Sequence, residues 1–269
     1  MKIIFILVVI AVVVFLLIEL PVVTGRGVGK VKKVLEQTEW VELSGKTLFI
    51  SDLHLSAQPA LGKQFNLDFS DIQNVVIVGD FFDQPEDFES FGNSEEERLK
   101  TVLEEIVPQG FSGKIFFISS PHSHDPHLKE ISRLELGDYE FIYLGEYGKF
   151  RIDGKHEVIA FHGGQLHQGI IGGGITWISE KFGFSLPLEK LGKHRFGIEK
   201  DTWLISGHSQ VPGIDQKAKV ANTGSFVGAP FNKLIFKIHI GTGVLFDGDH
   251  VELQKYEGLN IKKLYPFSV

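Results

Sequence analysis

Five short apolar runs in this 269-residue chain each stop abruptly at a cluster of Asp, His, Gly or Ser. Lys46–Ser51 leads into Asp52-Leu53-His54, and Asn74–Gly79 into Asp80-Phe81-Phe82-Asp83. Lys114–Ser119 leads into Ser120-Pro121-His122-Ser123-His124-Asp125. Glu157–Phe161 leads into His162-Gly163-Gly164, and Thr202–Ser206 into Gly207-His208-Ser209-Gln210. Continuous β-rich runs of this length read as strands buried on both faces. Between two of them, Ser94 with Glu97 fits a capping box, and Leu99, Val102, Leu103 and Ile106 follow helical spacing until Pro108. Such alternation implies α/β layers with parallel strands, in which functional groups gather at the strands' carboxyl ends. The five clusters are therefore expected to converge in space, although most of the chain lies between the first and the last.

The amino terminus follows a different pattern. Ile3 to Ile18 is sixteen apolar residues without a break, between Lys2 and Glu19. As a helix this run is ~24 Å long, short of a ~30 Å hydrocarbon core, and Leu20 to Val23 extend it. It exceeds a signal peptide's usual apolar region and no small-residue cleavage site follows, so it reads as a retained anchor. Residues 1–23 are thus expected to form a transmembrane anchor, 24–45 a juxtamembrane linker and 46–269 the folded domain. Arg26, Lys30, Lys32 and Lys33 follow the span while only Lys2 precedes it, which places the domain in the cytoplasm, single-pass.

Composition removes several chemistries. The chain has no cysteine, so thiolate zinc, iron–sulfur clusters, disulfides and a cysteine nucleophile are excluded. With 27 basic and 34 acidic residues it carries a formal charge of −7, which argues against nucleic acid as a partner. What remains at the strand ends is Asp and His. Neutral imidazole with carboxylate suits first-row divalent cations, here Mn, with Fe, Zn or Co as alternatives. A carboxylate such as Asp80 can bridge two cations, and a pair of them supports hydrolysis of a phosphoryl group.

In this order and spacing, DLH, GDFFD, HG and GHSQ, followed by Asn222-Thr223-Gly224-Ser225, resemble the calcineurin-like metallophosphoesterase superfamily. The likeness runs from about residue 46 to 255. It implies a four-layer fold, a two-sheet β-sandwich flanked by helices, and a hydroxide shared by two divalent metal ions. Asp52 and His54 would ligate the first ion, Asp80 would bridge, and His162 and His208 would ligate the second. Asp83 would orient a ligand by hydrogen bonding, and His124 with Asp125 would serve catalysis, His124 protonating the leaving oxygen. Two positions depart from the pattern. Gln210 stands where the family has a His ligand, and Ser123 where it has an Asn ligand; on another alignment Pro121 takes that place and His122 becomes the acid. His122, Asp125, Gln165 and His167 are candidates to compensate.

The implied reaction is hydrolysis of a phosphomonoester, phosphodiester or pyrophosphate. The opening LFISDLHLS also resembles the hydrolases that cleave the pyrophosphate of UDP-diacylglucosamine, which with the anchor suggests a lipid-linked substrate beside a phosphorylated small molecule. A rival reading is a degenerate fold that has lost catalysis and acts as a membrane-tethered binding module. A single-metal site is a third. Gly169 to Trp177, apolar and glycine-rich, reads as a packed loop, a lid or an apolar lip near the bilayer. Lys181, Lys190, Lys193, His194, Arg195 and Lys200 beyond it could steer an anion. His239 and His250 are read as surface residues of a C-terminal hairpin.

Overall fold

A computed structural model describes residues 20–55, 69, 71–121, 124–167, 169–226 and 241–256. The strands form two sheets. One has the order β13-β12-β2-β3-β4-β6-β5, from β2 (Thr47–Ile50), β3 (Asn74–Val78), β4 (Lys114–Ile118), β5 (Arg133–Leu136), β6 (Tyr139–Tyr143), β12 (Thr242–Asp247) and β13 (His250–Lys255). The other has the order β1-β7-β8-β9-β11-β10, from β1 (Trp40–Leu43), β7 (Gly148–Ile152), β8 (His156–Ala160), β9 (Trp203–Ser206), β10 (Gly213–Asp215) and β11 (Val220–Asn222).

Alternate residues of the central strands explain the unbroken apolar runs. Phe49, Val76, Val78, Phe116 and Ile118 point between the sheets, where they meet Phe150, Val158, Trp203 and Ile205. Phe246 closes this layer, its ring within 6 Å of Phe49, His156 and Trp203 in edge contacts. Leu48, Ile50, Val75, Ile77, Ile115 and Phe117 point the other way, onto α3 (Pro85–Glu89) and α4 (Glu95–Ile106). On the far side, Ile159, Leu204 and Val220 are covered by α1 (Pro21–Thr24), α2 (Val28–Gln37) and α6 (Pro187–Phe196). Each sheet thus buries both faces, and the order of layers is helix, sheet, sheet, helix. The α/β sandwich expected from the sequence is present, with β2, β3, β4 and β6 parallel, as are β8, β9 and β11.

Three expectations need correction. The stretch 24–45, expected as a linker, is part of the fold: α2 buries Val31 and Leu35, and β1 pairs in parallel with β7. Val31 and Leu35, four residues apart on one helical face, give this segment the apolar stripe a linker lacks. At the expected anchor's end, Leu20 and Val22 are buried in the domain, with the Val22 amide donating to Leu166 O. Residues 1–19 lie outside the described residues, among which no helix is long and apolar enough to cross a membrane. The glycine-rich segment, finally, is neither loop nor lid but helix α5 (Gly169–Lys181). Its small residues allow a close approach: a Cβ at Gly173 would lie 2.8 Å from Ser209 O.

Candidate metal centre

The loops after β2 and β3 leave the sheet side by side. The Asp52 amide donates to Gly79 O, that of His54 to Asp80 O, that of Leu55 to Phe81 O, and that of Asp83 back to Leu55 O. This pairing sets the register of DLH against GDFFD. It also forces sharp turns of the backbone. Asp52, His54, Asp80, His208 and Gln210 have φ of 53, 47, 48, 65 and 55°, five of the eight non-glycine residues in the left-handed region among the described residues. Such conformations cost of order 1 kcal/mol each and gather at functional sites.

Two groups of donor atoms result, Asp52, His54 and Asp80 on one side and Asp80, His162 and His208 on the other. Asp80 belongs to both. Its Oδ2 lies 3.8 Å from His54 Nε2 and 3.1 Å from His162 Nε2, while Asp52 Oδ1 lies 3.8 Å from His54 Nε2. The convergence expected of the strand ends is therefore found, with Asp80 shared by the two groups. His54 Nε2, Asp80 Oδ1 and His208 Nε2 are buried without a hydrogen-bond partner. Buried polar atoms seldom go unpaired, and all three belong to residues of the two donor groups. The donor set fits a pair of divalent metal ions.

Neighbouring groups fix the ligands. Asp83 Oδ1 accepts from His54 Nδ1 at 3.0 Å, which leaves Nε2 to face the carboxylates. His162 Nδ1 lies 3.0 Å from Val78 O, which turns Nε2 toward Asp80 Oδ2 at 3.1 Å and His208 Nδ1 at 2.9 Å. Asp52 Oδ2 accepts from the His208 amide at 3.0 Å and from the Ser51 hydroxyl. The Asn222–Ser225 stretch supports both loops: Asn222 Nδ2 donates to Gly207 O, Thr223 Oγ1 meets Ser51 Oγ, and Ser225 Oγ donates to Asp52 O.

Asp125, expected to serve catalysis, faces backbone amides in this structure. Its carboxylate is buried and accepts from the amides of Ser120, Asp80, Phe81 and Phe82 at 2.8 to 3.3 Å, so its oxygens face backbone and hold the GDFFD turn. It is a positioning residue, and its backbone partners could not be read from sequence. Burial, and next the Asp80 charge, push its pKa up to about 6. His124 Nδ1 lies 2.6 Å from Asp83 O, and its ring meets that of His54 edge-on. His122 and Ser123 lie outside the described residues. Gln210 turns its amide nitrogen to within 3.5 Å of Asp52 Oδ1. His167 stacks on His208 at 5.0 Å between centroids, fully buried, with neither ring nitrogen paired, but it belongs to neither donor group. Gln165 donates to Tyr147 Oη.

Without a cation the cluster holds protons. Burial opposes charge on His54, but Asp52, Asp83 and Asp80 outweigh it and raise its pKa to about 10. Burial likewise opposes charge on His162, which Asp80 and Asp52 raise to about 9. Asp80, against its own burial, is held well below the usual carboxylate range by His162, His54 and His208. Burial and His162 push His208 down to about 4, and burial with His208 and His162 lowers His167. At neutral pH, loading His54 and His162 with metal must therefore displace protons. We expect about two released per chain, and affinity rising with pH by up to about a hundredfold per unit. Calorimetric titration with Mn in buffers of different ionisation enthalpy measures this, and a heat independent of buffer would contradict it.

No family model matches the chain, and no curated protein matches it. Solved structures do. A Vps29 single mutant from Entamoeba histolytica matches with a TM-score of 0.38 and 12% identity, over 79% of this chain and 99% of that one. The phosphoesterase Yfce from E. coli gives 0.41 and 18%, over 80% and 93%. A predicted phosphoesterase from Streptococcus pneumoniae gives 0.36 and 14%, over 80% and 94%. At such scores nothing about this chain's chemistry follows from the matches, and the site is read from its own atoms.

Proposed function

We propose that this chain is a metal-dependent phosphoesterase of the metallophosphoesterase type, hydrolysing a phosphomonoester, phosphodiester or pyrophosphate. One observation carries the reading: the Asp80 carboxylate lies between two sets of buried Asp and His donors, three of whose atoms have no partner. Asp52, His54 and Asp80 would hold one divalent cation, and Asp80, His162 and His208 the other. When bound, such a pair supplies an acidic water and positive charge against phosphoryl oxygens.

The side chains supply the rest. Asp83 and Val78 O each hold one nitrogen of His54 and His162, so both rings present Nε2 toward Asp80. Asp83 O holds the His124 ring at Nδ1, which leaves Nε2 as the atom that would face the leaving oxygen. The Asp125 carboxylate keeps the Asp80 turn rigid while this happens.

The rival reading, a binding module, rests on Gln210, whose neutral amide replaces an imidazole beside Asp52. The two are separated by loading the purified chain with Mn, removing free ion, and measuring bound metal together with turnover of an aryl phosphodiester, a phosphomonoester and a pyrophosphate. Ions retained with metal-dependent turnover of any of the three is the expected result. Ions without turnover, or no retained ion, would overturn the enzyme and favour the binding module.

A further inference from the structure

We infer that the helix layer outside the β1–β10 sheet docks on an anionic lipid bilayer, led by the carboxyl-terminal tip of α5 and the turn after it. Among the described residues the exposed large hydrophobics are Val23, Ile178, Phe182 and Phe184, and all four lie in this layer. Val23 is on α1, Ile178 on α5, and Phe182 and Phe184 in the turn between α5 and α6, 75% and 67% exposed. Helices α1, α2 and α5 all pack against α6, so the four lie in one helix layer.

The pattern on α5 is not that of a solvent-facing helix. Ile175 and Thr176 turn inward, while Ile178 and Phe182, four residues apart, form an outward apolar stripe where polar residues belong. Beside it Lys181 Nζ sits 5.4 Å above the Trp177 ring, a pairing of amphipathic groups suited to the headgroup region.

Charge points the same way. Residues 20–37 and 169–200, which make up this layer, contain nine Lys and Arg against four Glu, although the whole chain is at −7. Arg26, Lys30, Lys32, Lys181 and Lys200 among them are exposed. A basic, apolar-tipped face complements an anionic surface. A second copy of the chain would repel it, and four scattered side chains fall short of the roughly 800 Å² per partner of a stable protein interface.

The course of the chain gives an independent reason. Leu20 and Val22 are buried in this same layer, and the sixteen apolar residues Ile3–Ile18 precede them with only Glu19 between. The most lipid-compatible segment of the sequence thus joins the domain at the face that carries its exposed apolar groups. Helix α5 also links that face to the metal centre. Gly173 lies against Ser209 O beside His208, and Ile178 is roughly 8 Å further along the axis.

The absence of cysteine makes the test clean. Full-length chain carrying Phe184→Cys, Ile178→Cys or, on the opposite outer layer, Glu104→Cys is labelled with an environment-sensitive fluorophore. Each is mixed with phosphatidylglycerol vesicles with and without nitroxide lipid. The labels at 184 and 178 are expected to be quenched several-fold more than that at 104, and less in phosphatidylcholine. Equal quenching at all three positions, or none at 184 and 178, would overturn the inference. So would labels at 184 and 178 shielded before any lipid is added, which would mean that residues 1–19 or a second chain cover the face. None of these readouts depends on metal or turnover, so failure here leaves the phosphoesterase reading where it stands.

Discussion

Asp80→Asn is expected to abolish retention of both metal ions and to lower hydrolysis by about three powers of ten, equivalent to about 4 kcal/mol of barrier. The substitution keeps the shape of the side chain and removes a charge that belongs to both donor groups. An amide can present one oxygen to one cation; it cannot neutralise two. The metal-free protein reports on the same charge in a different way. The raised His54 and His162 contribute stability that is fully present below their unfolded pKa of 6.5 and is lost as pH rises through about 9 to 10. Asp80, lowered, contributes stability present above 3.8 and lost as pH falls through its folded value. The metal-free variant should therefore lose most relative to wild type between about pH 4 and 6.5, on the order of 2–3 kcal/mol, with the gap closing toward pH 10. Denaturant unfolding across that range, with metal content and turnover at pH 7, checks all three. A variant that retains both ions and turns over like wild type would remove Asp80 from the mechanism.

Gly79→Ala is expected to be as damaging without replacing any ligand. Gly79 has φ +73°, and a Cβ there would lie 2.5 Å from His162 Cγ and 2.6 Å from Nδ1. The ring is buried and tied through Nδ1 to Val78 O, so it has little room to retreat except by turning Nε2 away from Asp80. Left-handed strain of ~1–2 kcal/mol and overpacking of ~1–3 kcal/mol add to a loss of about 2–5 kcal/mol. Gly110→Ala separates the two contributions, because Gly110 has φ +89° with nothing within 4 Å of its Cβ. The unfolding midpoint of Gly79→Ala should fall well below that of Gly110→Ala, and only Gly79→Ala should lose bound metal. Equal midpoints with full metal in both would mean that His162 moves aside without cost.

The parts of this molecule legible from sequence are those that repeat a local rule. β3 reads as a strand because Val75 and Ile77 face helices while Val76 and Val78 face the other sheet, leaving no polar position. Asp52, His54, Asp80, His162 and His208 are legible because each stands where such a run stops. Ser94 shows the limits of local signals. It does cap α4, but Glu97 reaches back to the amide of Asn93 and not to that of Ser94. What escaped depends on distant partners. β1 is a strand because β7, far along the chain, offers it an edge. α5 is a helix despite its glycines, residues of poor helix propensity, because one of them lets it seat against Ser209. Asp125 sits in an HSHD sequence that reads as chemistry, yet its oxygens meet four amides.

The left-handed backbone at Asp52, His54, Asp80, His208 and Gln210 has a thermodynamic consequence. Glycine at any of these places would relax the turn, so each corner holds an oxygen- or nitrogen-bearing side chain against a strain of order 1 kcal/mol that the surrounding packing has to offset.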